Sequence, residues 1–191
     1  MKFTRIDRKI TYRSHDCKLH LRKDFIYTCA YCGIREGDLG GADSFQIDHF
    51  KPTIKGGDDN YLNLYYCCTT CNGKSGKSDQ YTPTMLDPCK EDIWNDHLSL
   101  DNSTYYCYEK TNLGKEFISL IKLNRTKYIE RRRKIIDNRK ALEDELQTLK
   151  LLAQRIIMER NDDKFALMLN KRIEDIDNII KYGQNYLMVD E

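Results

Sequence analysis

Four cysteines form two pairs with the spacing of metal ligands. Cys29 and Cys32 make one Cys-x-x-Cys pair, and Cys68 and Cys71 make a second. Each pair can supply two thiolates, and four thiolates complete the tetrahedral site typical of structural zinc. Such a site has no open position for water, so we expect Zn²⁺ to stabilise the fold and not to react. The residues between the pairs, 33–67, are numerous enough to hold a small folded unit.

The loop between the pairs contains Asp48 followed directly by His49. A carboxylate oxygen is a hard ligand that suits Mg²⁺ or Mn²⁺. A neutral imidazole, with a reference pKa of about 6.5, can take a proton from water. Because neighbouring residues of a strand point to opposite faces, these two side chains can reach one phosphate only where the strand ends or bends. Pro52 and the Gly56-Gly57 pair predict that end.

Each feature also has a simpler interpretation. Paired cysteines can be buried free thiols or a redox pair, and a single histidine is often a core residue satisfied by one hydrogen bond. The matched spacing of both pairs, with the Asp48-His49 dipeptide enclosed between them, favours metal sites. Cys67 adds an ambiguity of register. Because Cys68 keeps the two-residue spacing to Cys71, we assign Cys68 as the ligand and Cys67 to packing.

The order of motifs over residues 27–79 resembles that of the HNH endonucleases, whose core is a ββα-metal unit with paired zinc knuckles. The motifs that carry the resemblance are Cys29-x-x-Cys32, Asp48-His49-x-x-Pro52, Gly56-Gly57, Asn63-Leu64 and Cys68-x-x-Cys71-Asn72. The resemblance implies hydrolysis of phosphodiester bonds with one divalent ion. We therefore expect a metal-dependent endonuclease that acts on nucleic acid.

The resemblance also implies roles for individual residues. His49 would deprotonate the attacking water, and Asn63 would orient His49 and brace the hairpin. Asp48 and Asn72 would hold the catalytic Mg²⁺ or Mn²⁺. Without the resemblance, Asn63 is equally well explained as a turn residue and Asn72 as a helix cap.

The family's phosphate-contacting lysine is displaced in this chain. It usually follows the asparagine of the second cysteine pair by three residues, and that place is occupied by Ser75. Lys74 and Lys77 flank the position. We predict that one of these two lysines contacts a phosphate of the nucleic acid.

The net charge of +2 hides two basic segments. Residues 1–23 carry eight Lys/Arg against two Asp, and residues 110–140 carry eleven Lys/Arg against three Asp/Glu. A basic run is often a solvated helix face, but beside these motifs we interpret both segments as surfaces for nucleic acid, with DNA favoured over RNA. The candidate phosphate contacts in the second segment are Arg131, Arg132 and Arg133.

The composition is that of a water-soluble protein. Of the 191 residues 32% are charged, and the apolar runs are only a few residues long. No run is long enough to span a membrane, and residues 1–9 lack the apolar segment of a signal peptide. Cysteines with zinc spacing fit a reducing compartment. We therefore expect a cytoplasmic protein that does not bind membranes.

The residue patterns predict an α+β fold in four parts. Residues 1–26 form a basic N-terminal segment. Residues 27–82 form a β-hairpin followed by a helix, the ββα-metal core with its four-cysteine zinc. Residues 83–114 connect this core to a mostly α-helical C-terminal region, 115–191.

The C-terminal region contains two helical stripes. Ile135, Leu142, Leu149 and Ile156 recur every seven residues, which predicts a long helix. After a predicted break at residues 161–164, a second helix carries Leu169, Ile173, Ile176 and Ile180 on one stripe. The two helices fit a hairpin that covers the protein's own core. They fit equally well an interface with a partner, which includes a homo-oligomer.

A second resemblance concerns the residues after the core. Pro88-Cys89, His97-Leu98 and Leu123-Asn124-Arg125 resemble segments of HNH nucleases in anti-phage systems of the Septu and retron-associated kind. Those nucleases act beside an ATPase partner, so the resemblance implies a defence setting. Two other function classes compete with the nuclease: a non-catalytic, zinc-dependent nucleic-acid-binding module, and an adaptor whose helices recruit a partner enzyme.

Overall fold

The computed structural model describes residues 2–160 and 163–183, which divide into two compact units. The first unit runs through Ile129, and the second begins at Glu130. The predicted α+β class is confirmed, because small antiparallel sheets are combined with a long C-terminal helix. The predicted division into four parts stays a prediction. No helix within the described ranges is both long and apolar enough to cross a membrane.

The first unit begins with an extended N-terminal segment followed by helix α1 (Cys17–Asp24). The segment is tied to the rest of the unit at both ends. The Phe3 N–H donates to the Pro88 carbonyl at 2.9 Å, and Thr11 forms an antiparallel bridge with Asn60. The segment therefore lies against the central hairpin and does not extend into solvent as a free arm.

The central hairpin consists of β1 (Phe45–His49) and β2 (Leu64–Cys68), which pair antiparallel. β1 ends at His49, three residues before Pro52, the residue that the sequence predicted would stop it. The chain then turns back at Gly57, where a Cβ atom would come within 1.7 Å of the Lys51 carbonyl oxygen. Only glycine fits so close an approach of backbone to backbone.

Helix α2 (Thr69–Asn72) follows β2 directly and completes the predicted ββα unit. It has only four residues, and Gly73 comes next as its C-cap. Because the helix is so short, Cys71 and Asn72 remain close to the hairpin from which the helix starts. The second cysteine pair therefore spans the junction of β2 and α2.

Four buried tyrosines form much of the core around this hairpin, and the hydroxyl of each donates to a carboxylate. A buried tyrosine hydroxyl without a partner would lose its hydrogen bonds to water without replacement, so these pairs stabilise the unit. The pairs are Tyr31 with Asp48 (2.5 Å), Tyr61 with Asp24 (2.7 Å), Tyr65 with Asp87 (2.5 Å) and Tyr66 with Glu36 (2.5 Å).

The remainder of the first unit is a second small sheet and a helix. Strands β3 (Leu98–Leu100) and β4 (Cys107–Glu109) pair antiparallel, and α3 (Asn112–Ile121) packs on them. Asn124 binds both the N–H and the carbonyl of Cys107 at 2.8 Å. This residue of the Leu-Asn-Arg motif therefore ties the chain after α3 to strand β4.

The second unit contains most of α4 (Thr126–Arg160) and all of α5 (Asp163–Gly183). The long helix and the second helix were both predicted, and the two stripes face each other. Leu146, Ile176 and Ile180 are buried between the helices, with Leu142, Leu149 and Ile173 packed against them. The predicted break includes residues 161 and 162, which lie outside the described residues.

Candidate functional site

The four predicted cysteines come together in one buried cluster. The Sγ atoms of Cys29, Cys32, Cys68 and Cys71 all lie within 4.8 Å of one another. Those of Cys32 and Cys68 are 3.8 Å apart. Zinc–sulfur bonds of about 2.3 Å in a tetrahedron require sulfur atoms roughly 3.8 Å apart. The cluster therefore fits a structural Zn²⁺.

Neighbouring groups support such an ion. The Cys68 N–H donates to Sγ of Cys29 at 3.3 Å. The Tyr128 hydroxyl lies 2.7 Å from Sγ of Cys71 and can donate to it when that cysteine is a thiolate. Burial raises the pKa of Cys71, so a bound cation is what would stabilise its ionised form. Cys67 lies outside the cluster, with Sγ 3.8 Å from the Gln46 carbonyl, as its assignment to packing requires.

A polar cavity of about 230 Å³ lies at the end of β1. Three of the predicted catalytic residues, Asp48, His49 and Asn72, line it. The two strand neighbours thus share one cavity, although Asp48 is buried and His49 is half-buried. The other lining residues are Tyr12, Ile47, Pro52, Thr53, Ser78 and Asp79.

His49 is held from two sides. Its Nε2 atom lies 2.8 Å from Oδ1 of Asp59. Its ring packs against Tyr12, with ring centroids 4.9 Å apart. A carboxylate oxygen can only accept a hydrogen bond, so Nε2–H donates to Asp59, and in this tautomer of the neutral ring Nδ1 has a free lone pair. Among the described residues Nδ1 has no hydrogen-bond partner, so it can act on a water molecule.

Asn63 braces the loop between the strands. Its Oδ1 accepts the Lys51 N–H at 2.9 Å, and its Nδ2 donates to the carbonyls of Lys51 at 3.0 Å and Asp58 at 2.8 Å. The residue after Asp58 is Asp59, which contacts His49. Asn63 therefore supports His49 through the loop and makes no direct hydrogen bond to it in the described structure.

Asp48 is buried, and one of its oxygens is occupied. Oδ2 accepts the Tyr31 hydroxyl at 2.5 Å and lies 3.0 Å from Nζ of Lys77. Burial raises the pKa of the carboxyl, and the nearby Lys77 charge partly offsets that effect. Oδ1 accepts no hydrogen bond from the described residues and is the oxygen that can bind a metal ion.

Asn72 supplies a second oxygen. Its Nδ2 donates to Oε1 of Gln46 at 3.1 Å, which leaves Oδ1 without a donor among the described residues. A carboxylate, an amide oxygen, waters and substrate phosphate make up the kind of ligand set that Mg²⁺ uses. The oxygens of Asp48 and Asn72 at one polar cavity therefore fit a divalent ion.

The predicted phosphate contacts differ in exposure. Lys77 is fully buried, and its Nζ also donates to the His49 carbonyl at 2.9 Å. That environment does not suit a phosphate contact, whereas the exposed Lys74 does suit one. In α4, Arg133 is exposed, Arg131 is half-buried and Arg132 is buried.

Half of the eight cations in residues 1–23 bind within the fold. The Arg5 guanidinium donates to three backbone carbonyls, those of Tyr61, Leu62 and Leu64, at 2.5–3.1 Å. The others are Arg8 with Asp24, Arg22 with Glu36 and Lys18 with the Ala42 carbonyl. The cations that remain exposed are Lys2, Lys9, Arg13 and Lys23.

Sequence reasoning missed three residues at the site. Asp59 and Tyr12 contact His49, and Tyr31 contacts Asp48. Asp59 lies two residues after the Gly56-Gly57 turn. Its place in the loop of the hairpin is the signal in the sequence that could have identified it. Tyr12 is distant in sequence from the other site residues, and its contact depends on the path of the N-terminal segment.

Part of the chain matches a known protein family. Residues 29–78 match the family model described as HNH endonuclease, and no curated protein matches the chain. The match covers both cysteine pairs and every residue from Asp48 to Lys77. It indicates nucleic-acid binding and a nuclease-type function, although some members of the family are not catalytic.

Proposed function

Because residues 29–78 form an HNH endonuclease domain, we propose that this chain is a divalent-metal-dependent endonuclease that hydrolyses phosphodiester bonds, with DNA as its preferred substrate. The observation that carries the proposal is the cavity lined by Asp48, His49 and Asn72. A module that only binds nucleic acid has no need for a proton acceptor and two oxygen ligands at one cavity.

His49 is the general base in this proposal. Its Nδ1 takes a proton from the water that attacks phosphorus, while Asp59 keeps the Nε2 proton in place. The negative charge of Asp59 also stabilises the imidazolium that forms. Asn63 keeps the loop that carries Asp59 in position through its three backbone contacts.

Asp48 and Asn72 would hold the catalytic Mg²⁺ or Mn²⁺. When bound, such an ion neutralises charge on the phosphate and stabilises the departing oxygen. Asp48 would bind the ion through Oδ1, because Oδ2 is occupied by Tyr31 and Lys77. Asn72 would bind it through its amide oxygen. The structural Zn²⁺ would be held separately, by the four cysteines.

A larger groove offers a path for the nucleic acid. It has a volume of about 1290 Å³ and lies between the N-terminal segment and the loop that Asn63 braces. Lys2, Lys9 and Lys51 line it, together with the aromatic side chains of Phe50 and Tyr81. Lysines bind phosphates independently of sequence, and aromatic rings can stack on bases.

We further propose a role in restriction or anti-phage defence, in which an ATPase or another protein partner accompanies the nuclease. The resemblance of residues 25–135 to nucleases of such systems supports this setting. Exposed apolar residues of the second unit fit a protein partner or a second copy of the chain. They include Leu151, Leu152, Phe165, Leu167, Met168 and Ile179.

The proposal is tested by incubating wild type and His49→Ala with supercoiled plasmid and with single-stranded RNA, each with and without Mg²⁺ or Mn²⁺. Metal-dependent nicking of the plasmid by wild type alone is expected. Cleavage of RNA alone would overturn the preference for DNA. Nucleic-acid binding by both proteins without cleavage of either substrate would favour the non-catalytic binding module or an adaptor.

A further inference from the structure

Asp48 is fixed through one oxygen by residues that adjoin the zinc ligands. Tyr31 donates its hydroxyl to Oδ2, and this tyrosine lies between Cys29 and Cys32 in the sequence. Nζ of Lys77 lies 3.0 Å from the same oxygen. The side chains of Tyr31 and Lys77 are both fully buried.

Lys77 is tied to the second cysteine pair. Its backbone N–H donates to the Cys71 carbonyl at 2.7 Å. Its Nζ contacts Asp48 through the carboxylate and His49 through the backbone carbonyl. A buried ammonium needs such partners, and removing one of them is strongly destabilising. Lys77 therefore connects the zinc ligand Cys71 to both Asp48 and His49.

We propose that the two zinc-binding segments position the catalytic carboxylate, with Tyr31 and Lys77 as positioning residues that hold Oδ2 of Asp48 and leave Oδ1 for the divalent ion. The inference rests on the proposed function, in which Asp48 is a ligand of that ion. Groups that orient a metal ligand before the ion arrives raise the affinity for it. Zinc would then support catalysis as well as folding.

The first zinc knuckle fixes the position of the Tyr31 hydroxyl. The knuckle is closed by the Cys29 N–H, which donates to the Ile34 carbonyl at 2.8 Å, and by the Gly33 N–H, which donates to the Cys29 carbonyl at 3.0 Å. The Tyr31 ring stacks on Tyr65, with centroids 6.2 Å apart and planes 3° from parallel.

The chain contains a matched control. Tyr66 is fully buried, like Tyr31, and its hydroxyl donates to Oε1 of Glu36 at the same distance, 2.5 Å. Glu36 does not line the cavity at Asp48. Tyr31→Phe and Tyr66→Phe therefore remove the same kind of hydrogen bond from the same domain, and only the first affects the proposed metal ligand.

The experiment titrates Mn²⁺ into the zinc-loaded full chain and follows free Mn²⁺ by electron paramagnetic resonance. Loss of an orienting partner lowers metal affinity by about tenfold to a hundredfold. We expect Tyr31→Phe to show such a loss and to need a correspondingly higher Mg²⁺ concentration for cleavage. Tyr66→Phe should bind Mn²⁺ as wild type does, although both variants lose thermal stability.

The outcomes separate this inference from the proposed function. If Tyr31→Phe binds Mn²⁺ as tightly as wild type, the positioning role is wrong and the nuclease proposal stands. If zinc-loaded wild type binds no Mn²⁺, both are wrong. Should Tyr31→Phe fail to retain zinc, Lys77→Met provides a second test. It removes the other contact to Oδ2, together with the contact to the His49 carbonyl, and keeps an unbranched side chain of similar length.

Discussion

The Nε2 atom of His49 lies 2.8 Å from Oδ1 of Asp59, which is ten positions further along the chain. The turn at Gly57 and the three hydrogen bonds of Asn63 bring the two residues together. The loop of the hairpin thus carries its own acceptor for the imidazole proton. This contact selects which ring nitrogen of His49 is available to a water molecule.

Asp59→Ala should lower kcat and leave KM nearly unchanged. A general base contributes about a hundredfold to ten-thousandfold to the rate, and a base in the wrong tautomer loses much of that, so we expect a drop on the order of tenfold or more. Initial rates of plasmid nicking at saturating Mg²⁺ measure it. Asp58→Ala is the control, because its carboxylate binds only Asn60 among the residues that the structure describes. Equal rates for the two variants would contradict the role of Asp59.

Tyr12 should act on His49 through its ring and not through its hydroxyl. The rings of the two residues are 4.9 Å apart, and the Tyr12 hydroxyl has no hydrogen-bond partner among the described residues. Tyr12→Phe should therefore retain the wild-type cleavage rate, while Tyr12→Ala should lower it. A loss of activity in Tyr12→Phe as large as in Tyr12→Ala would show that the hydroxyl itself takes part.

Adjacent cysteines should respond differently to replacement. Sγ of Cys68 belongs to the zinc cluster, whereas that of Cys67 lies against the Gln46 carbonyl. Cys68→Ala should abolish stoichiometric zinc and unfold the first unit, because zinc-binding free energy is folding free energy in such sites. Cys67→Ala should keep one zinc per chain. Metal analysis measures the zinc content of both variants, and circular dichroism measures their folding. Loss of zinc in Cys67→Ala would reverse the ligand assignment.

The helical hairpin offers a test of its packing. Ile176 is fully buried between α4 and α5, while Ile179, three residues later, is 53% exposed. Ile176→Ala should reduce the free energy of unfolding of the second unit by about 2–5 kcal/mol. Ile179→Ala should change it by no more than about 0.5 kcal/mol. Similar values from thermal or urea unfolding would mean that the hairpin packs in a different register.

Lys74 should contribute to nucleic-acid affinity and not to the chemical step. It is exposed and lies two residues after Asn72, which lines the cavity. Lys74→Ala should weaken binding of nucleic acid. It should also reduce the slope of log K against log salt concentration by about 1, the amount expected for one phosphate contact. Lys150→Ala, an exposed lysine of the second unit, is the control. An unchanged salt slope in Lys74→Ala would remove Lys74 from the interface.

The hairpin and the cysteine cluster could be predicted from sequence because their signals are local. The Cys-x-x-Cys spacing and the Asp48-His49-x-x-Pro52 motif each lie within a few residues, and they identified three residues of the cavity. The burial of Lys77 could not be predicted in the same way. A lysine in a Gly- and Ser-rich loop is normally solvated, and its burial depends on Asp48, which is distant in sequence and supplies the opposite charge.

The role of His49 as the base of a nuclease can be measured by the cleavage rate of His49→Ala at saturating Mg²⁺. We expect a rate at least about a hundredfold below that of wild type, with one zinc per chain and an unchanged thermal unfolding transition. A rate within about twofold of wild type, measured on the same plasmid preparation, would contradict it.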